Sequence, residues 1–484
     1  MEKNEHPQPH PIHWTMALIP LAVLIALQVV VIRVFGADAL DGASQTALLL
    51  AAGVAVAIGM ILFKVPWEWI NNAIEDNIKA IGPAILILFM IGAVSGSWMM
   101  SGVVPTMIFY GMKIVSPQLF LFLACLICAL VSVITGSSWT TVATIGIALM
   151  GIGTAHGYAP GWTAGAILSG AYFGDKISPL SDTTVLAASV GEVPLFTHIR
   201  YMLITTVPSF VIALVIFLVV SLCHATDGGS QSALFADGLQ CVFTISPWLL
   251  VVPLIAGVLI ALRLPAAIVL FLSALVAGVA MLLVQPDIVQ QIGEGSTFRG
   301  VMLTYYSGTS LDTGNDALSN LIQARGMRGM LSTVFLIFCA AAFGGALAGT
   351  GMIQSITAAL AKGIKGRRSL VSATVATGLL ANMTTGDQYL SIVLTGNIYK
   401  KLYKDKGFEG RLLSRSTEDS ATVTSVLVPW NTCGMTQSVV LKVPTIEYLP
   451  YCIFNLVSPL MSICIALLGY KIFRRAPVDQ STLP

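Results

Sequence analysis

The sequence predicts an all-α polytopic membrane protein made of two inverted-topology repeats, with discontinuous helices and paired re-entrant hairpins. Three observations predict it. The 484 residues are 56% hydrophobic and only 10% charged, whereas soluble domains carry about 25% charged residues, so part of the solvent must be lipid. Apolar stretches in the first half are echoed, in the same order, in the second. Two regions, 116–191 and 369–441, interrupt their apolar character with Gly, Pro, Ser, Thr and Asp.

Windows of about twenty apolar residues give spans near 14–34, 46–64, 81–104, 200–222, 245–262, 265–284, 329–350 and 446–470. They divide the chain into a cytoplasmic tail (1–13), a first transmembrane repeat (14–223), an extracytoplasmic connector (224–244), a second repeat (245–472) and a cytoplasmic tail (473–484). The run 14–34 is long for a signal peptide and follows mixed charges, so it reads as a retained span. The amino-terminal "HPQPHPIH" reads as a disordered tail rather than a metal site. Cys125 and Cys128 form a CxxC within "FLFLACLICALV", where they are small side chains on one helix face. No cofactor is expected, and a net charge of +2 gives no case for nucleic acid.

The echoes set the architecture. "WTMALIPLAVLIAL" at 14 answers "WLLVVPLIAGVLIAL" at 248, and "ILILFMIGAVSGSWMMSGVVP" at 85 answers "TVFLIFCAAAFGGALAGTGMI" at 333. "TGSSWTT" at 135 then pairs with "TTGDQYL" at 384, and "GDKISPLSDTT" at 174 with "EDSATVTSVLVPWNTC" at 418. Matches in one order at a near-constant offset indicate internal duplication. With a cytoplasmic amino terminus and five net crossings per half, most of the 25 Lys and Arg fall inside, including "KGIKGRR", "KKLYKDK" and "KIFRR". An odd number of crossings inverts the second copy relative to the first. The segments "VPWEWINNAIEDNIKAIG" (65–82) and "ALSNLIQARGMRGM" (317–330) read as a pair of amphipathic helices lying along the membrane surface.

The chemistry concentrates at 174–184. Pro179 breaks or unwinds a helix here, and freed carbonyls are tolerated in lipid only where they line a cavity or face protein. Asp175 and Asp182 cost several kcal/mol in such a setting unless they bind, pair or take a proton. With the hydroxyls of Ser178, Ser181, Thr183 and Thr184 they supply the oxygens of a small-cation site. Lys176 either neutralises one carboxylate or snorkels to the surface. The competing reading is a solvated loop, against which stand the short apolar flanks and the second-half echo.

In that echo Glu418 and Asp419 lead, Pro429 makes the break, and Asn431 and Thr432 follow it. Glu418 and Asp419 are secondary candidates, since they closely follow Arg411 and Arg415 and could be a cytoplasmic helix cap. Asn431 and Thr432 are expected at the cavity. The hairpin tips carry Ser137, Ser138, Thr140 and Thr141 in one copy and Thr384, Thr385 and Asp387 in the other. Helix N-termini there would suit a carboxylate, whether a substrate's or that of Asp387. Trp139 reads as an interface anchor, His156 as a loop residue and His198 as a residue at a cytoplasmic boundary, either with the option of sensing pH.

The strings "GAILSGAYFGDKISPLSDTTVLAASV", "LFTHIRYMLITTVPS" and "TSVLVPWNTCG" resemble the NhaC family of sodium/proton antiporters over nearly the whole chain. The resemblance implies a secondary transporter of a bacterial inner membrane, in a superfamily of inverted repeats and paired hairpins where homodimers are common. Some members exchange malate against lactate with Na⁺ and H⁺. The chain departs from the pattern at Val185, where the family carries Asn, a lost polar ligand that bears on ion preference or substrate class.

One occupancy rule gives the expected mechanism: a desolvated acid holds either Na⁺ or H⁺ as the moving elements reorient. Asp175 and Asp182 lead, and Asp387 is third. Two protons per Na⁺ would move net charge, each charge worth about 2.3 kcal/mol per 100 mV. The chief alternative within transport is a Na⁺/H⁺-coupled exchanger of small organic acids or amino acids. An enzyme is not expected: the Gly-x-Gly-Asp of intramembrane aspartyl proteases is absent at both "FGD" and "TGD", and no Walker or HExxH motif occurs.

Overall fold

Hydrophobic runs become helices because a backbone in lipid must satisfy its own hydrogen bonds. The computed structural model describes residues 12–35, 42–223, 230–262, 264–311, 319, 322–362 and 364–473. Most of both tails, and part of the connector expected at 224–244, therefore lie outside the described residues. Among the described residues the regular elements are all helical apart from one isolated bridge, Thr309 to Ala324. Eight helices among them are long and apolar enough to cross a membrane. Six coincide with expected spans. The expected spans at 245–262 and 446–470 are instead the second members of bent pairs, Leu234–Val242 with Pro247–Ala261 (91°) and Thr445–Tyr451 with Ile453–Leu468 (56°). This is a multi-pass membrane protein.

The two interrupted regions each fold as a hairpin followed by a broken helix. The first hairpin is Phe120–Thr135 and Ser138–Ala155, the latter with a π turn at Val142–Gly146. The first broken helix is Pro160–Ile177 and Asp182–Val190. The second hairpin is Arg367–Thr385 and Gln388–Asp405. The second broken helix is Gly410–Thr417, a π turn at Glu418–Thr422, a 3₁₀ turn at Ser425–Leu427, and Thr432–Leu441. Around them run helices such as Leu195–Cys223, which exposes one apolar face, including Val207, Val211, Val215, Val219 and Leu222, as a lipid-facing helix requires.

Small residues let the interior helices approach closely. A methyl group on Gly170 would sit 2.0 Å from the Cys125 carbonyl oxygen, and one on Gly174 2.3 Å from that of Ala129. The first broken helix is thus pressed backbone to backbone on the first hairpin. Cys125 and Cys128 are buried in that contact, as free thiols.

Of the amphipathic pair, Trp67–Ala80 is a helix. It packs lengthwise on Leu331–Gly349, where Gly345 and Gly349 admit the backbone of Ile74 and Ile70 and Asn77 donates to the Ala341 carbonyl (3.3 Å). Its supposed echo at 317–330 is partly outside the described residues, and the described part is a bridge and a 3₁₀ turn (Met327–Met330). Glycines at 326 and 329 disfavour a continuous helix there.

Candidate functional site

The hairpin tips share one construction, repeated at an offset of 250 residues. Gly136 and Gly386 take positive φ (65° and 66°), which a residue with a side chain adopts only at a cost. The hydroxyl of the preceding threonine accepts the next turn N–H: Ser137 N–H to Thr135, and Asp387 N–H to Thr385, both 3.2 Å. Ser137 and Asp387 then serve as N-caps, accepting the N–H of Thr140 (3.2 Å) and of Leu390 (3.0 Å).

Asp175 completes the first tip from another segment. Its carboxylate accepts both the backbone N–H (3.1 Å) and the hydroxyl (2.7 Å) of Ser138. A buried carboxylate at a helix N-terminus gains from the helix dipole and from charge-assisted hydrogen bonds. At the second tip the acid belongs to the turn itself: Asp387 also accepts the Thr432 hydroxyl (3.2 Å), from the start of the second broken helix.

Both acids line one cavity of about 740 Å³, together with Ser137, Ser181, Asp182 and Tyr389. Trp139 and Thr140 line it too, so Trp139 is a cavity wall rather than an interface anchor. Asp182 does not share the burial of Asp175. It is the first residue of Asp182–Val190, exposed, and accepts the Tyr389 hydroxyl at 3.2 Å. Helix start geometry turns its side chain outward into the cavity, so it is not the desolvated acid expected.

The break forms where Pro179 requires it, but its carbonyls are not left free. Thr184 Oγ1 donates to the Asp175 and Lys176 carbonyls (3.3 and 3.0 Å). Ser178 Oγ pins the break to the Val133 carbonyl (2.8 Å), and Ser181 is an N-cap, in contact with Thr183 (2.9 Å). These hydroxyls hold the break. At the second break, Asn431 N-caps Thr432–Leu441 and donates to the Asn382 carbonyl (3.2 Å). Thr384 and Thr385 return hydrogen bonds to their own helix, and Thr141 bonds back to the Ser137 carbonyl (2.9 Å).

A second polar cluster lies wholly inside the protein. Lys176 neither snorkels nor pairs with Asp175 or Asp182: it is buried, forms an ion pair with Asp419, and donates to Ser458 (3.0 Å). Thr205 from Leu195–Cys223 donates to the same Asp419 oxygen (2.9 Å). Glu418 and Asp419 are fully buried, not a cytoplasmic cap. The π turn of Glu418–Thr422 turns both acids inward. Arg415 is buried with them, its guanidinium 4.6 Å from the Tyr201 ring and its Nε 3.9 Å from Asp419. Pro429 is half-buried at the second break and Val185 is exposed.

Residues 170–470 match the family model described as the Na⁺/H⁺ antiporter family. The Na⁺/H⁺ antiporter NhaC of Bacillus subtilis is 36% identical over 86% of this chain and 91% of its own length. The chain belongs to the Na⁺/H⁺ antiporter family. Two further similar proteins carry different names. The malate-2H⁺/Na⁺-lactate antiporter of Bacillus subtilis is 35% identical over 90% of each chain. The arginine/ornithine antiporter ArcD of Halobacterium salinarum is 34% identical over 96% of this chain and 94% of its own.

Three polar residues of this antiporter-family chain escape a reading by motif. Asn382 bridges the second hairpin to the second broken helix, donating to the Ala421 carbonyl (2.7 Å) and Thr424 (3.0 Å). Gln388 donates to the Thr422 carbonyl (3.0 Å). Arg415 closely follows the basic stretch 400–411, whose lysines and arginine are exposed or half-buried, whereas residues 412–420 are buried; the signal available was its i,i+4 spacing to Asp419.

Proposed function

We propose that this chain is a secondary active transporter, not an enzyme, which exchanges Na⁺ for H⁺ across a bacterial inner membrane by alternating access. The observation that carries the reading is the pair of buried carboxylates, Asp175 and Asp387, placed at the two hairpin tips and facing one cavity. An acid withdrawn from water needs a proton or a cation to neutralise it when its surroundings change. Thr432, Ser181, Thr183 and Ser137 surround these acids with the oxygens that a hard cation takes. No cofactor is required: Na⁺ and H⁺ are the cargo.

The constant 250-residue offset of the tip geometry supports two repeats, and inversion of one against the other supplies the symmetry that alternating access uses. The basic segments support cytoplasmic termini. Arg367 donates to the Ala466 carbonyl, Tyr201 to that of Lys471, Arg411 stacks on Phe473, and Lys400 pairs with Glu192 (2.9 Å). These contacts gather 192–201, 367, 400–411 and 466–473 at one end of the molecule, which suits the cytoplasmic face.

A second reading, Na⁺/H⁺-coupled exchange of small organic acids or amino acids, is favoured by the cavity volume, far larger than a bare ion needs. Against it, tip donors that would bind a substrate carboxylate are already taken by Asp175 and Asp387. One assay separates them: purified protein in liposomes, with Na⁺-driven pH changes recorded with and without malate, lactate, arginine or ornithine. Sodium alone should dissipate a pH gradient. If only an organic substrate does so, the second reading replaces the first.

A further inference from the structure

Sodium and protons need not compete for one carboxylate. The buried cluster beyond Asp175 holds two cations, Lys176 and Arg415, and two acids, Glu418 and Asp419, all without solvent exposure. Asp419 is committed to Lys176 and Thr205. Among the described residues Glu418 has no ion-pair partner: beside it stands the Thr422 hydroxyl, too loosely placed for a hydrogen bond of good geometry, and the nitrogens of Arg415 also lack a hydrogen-bond partner.

A buried acid without an ion-pair partner is cheapest when neutral, yet the charge of Lys176 acts on Glu418 and keeps its ionised form accessible. The cluster is electrically neutral with Glu418 ionised and carries one excess positive charge with Glu418 protonated. That charge is felt next door. Lys176 follows Asp175 directly, and both act electrostatically on Glu418. Asp175 faces the cavity, whereas Lys176 faces the cluster, so one helical turn belongs to both sites.

We propose that Glu418 carries the transported proton in a site separate from the Na⁺ site at Asp175, and that the Lys176–Asp419 ion pair couples the two. The inference rests on the Na⁺/H⁺ reading above. A Glu418 oxygen takes up H⁺ from water on one side, leaving a neutral acid and an excess charge that disfavours Na⁺ near Asp175. Sodium binding at Asp175 then favours loss of that O–H proton to the other side. Besides these four charged groups and Asp175, the neighbouring titratable groups are His198 and Tyr201 on Leu195–Cys223, Tyr399 and Tyr403 on the second hairpin, and Asp182 at the cavity. The packed helix Ile453–Leu468 brings no charged residue.

The test is E418Q in proteoliposomes, with two fluxes measured. Wild type should perform both ²²Na⁺/Na⁺ exchange and Na⁺-driven proton movement; absence of both would sink the Na⁺/H⁺ reading, not this assignment. E418Q should keep Na⁺/Na⁺ exchange and lose proton movement. Its Na⁺ affinity, which in wild type should weaken about tenfold per pH unit on the acid side, should keep only the part of that dependence that protonation of Asp175 itself imposes. Unchanged proton coupling in E418Q, or loss of Na⁺ binding itself in a folded variant, overturns the proposal. If E418Q does not fold, wild type is treated with dicyclohexylcarbodiimide, which reacts with protonated carboxyls. Mass spectrometry should find Glu418 modified and protected by Na⁺, and modification of Asp175 alone overturns the assignment.

Discussion

Asp175 caps a helix to which it does not belong: its carboxylate accepts the N–H and hydroxyl of Ser138, 37 residues earlier in the chain. The contact ties the first broken helix to the tip of the first hairpin, so the charge of Asp175 and the position of the break are mechanically linked.

Asp175→Asn keeps an acceptor for Ser138 but removes the charge. Na⁺-driven proton movement in liposomes should fall to background, while thermal unfolding in detergent changes by only about 1–2 kcal/mol, the value of one charge-assisted cap. A variant with wild-type flux would remove Asp175 from ion binding.

Asp182→Asn should be milder. The side chain is exposed at the cavity and meets only the Tyr389 hydroxyl. The half-saturating Na⁺ concentration should rise by less than about tenfold, under 1.4 kcal/mol, with maximal rate kept. Loss of flux equal to that of Asp175→Asn would show that Asp182 is a principal ligand.

The ion pair of Lys176 and Asp419 is fully buried. Lys176→Met leaves Asp419 with only the longer Arg415 contact (3.9 Å) and should destabilise by up to about 3–5 kcal/mol, whereas Lys176→Met with Asp419→Leu should recover part of that loss. Unfolding midpoints of the two singles and the double decide it; strict additivity would contradict the pairing.

Gly174→Ala places a methyl 2.3 Å from the Ala129 carbonyl oxygen. The helices cannot separate without moving the break, so a loss of about 1–3 kcal/mol is expected. Gly53→Ala, where the added methyl meets nothing within 4 Å, is the control and should be close to neutral. Equal effects at the two positions would refute the close packing.

The membrane class and the two interrupted regions were legible because hydropathy and Pro179 act locally, on residues adjacent in the chain. The likeness of "TGSS" to "TTGD" was legible too, since a turn needing positive φ fixes a glycine after a hydrogen-bonding threonine. What pairs with what was not. Lys176 and Asp419 are separated by 243 residues, and nothing in either segment says that one meets the other. The direction of Asp182 was also hidden, because a one-residue step at a helix start decides between cavity and interior. Arg415 was obscured by company: it follows a basic stretch at 400–411, and only the folded chain, which buries 412–420 and packs Tyr201 on its guanidinium, marks it as interior.

The tips, though built alike, do not own their acids alike. Asp387 belongs to its own turn, whereas the Ser138 tip borrows Asp175 from a separate segment. Separation of the first broken helix from its hairpin would therefore strip one tip of its anion and leave the other intact. The two tips are unequal: under the alternating-access reading proposed above, an excursion toward one side of the membrane would not be the energetic mirror of an excursion toward the other.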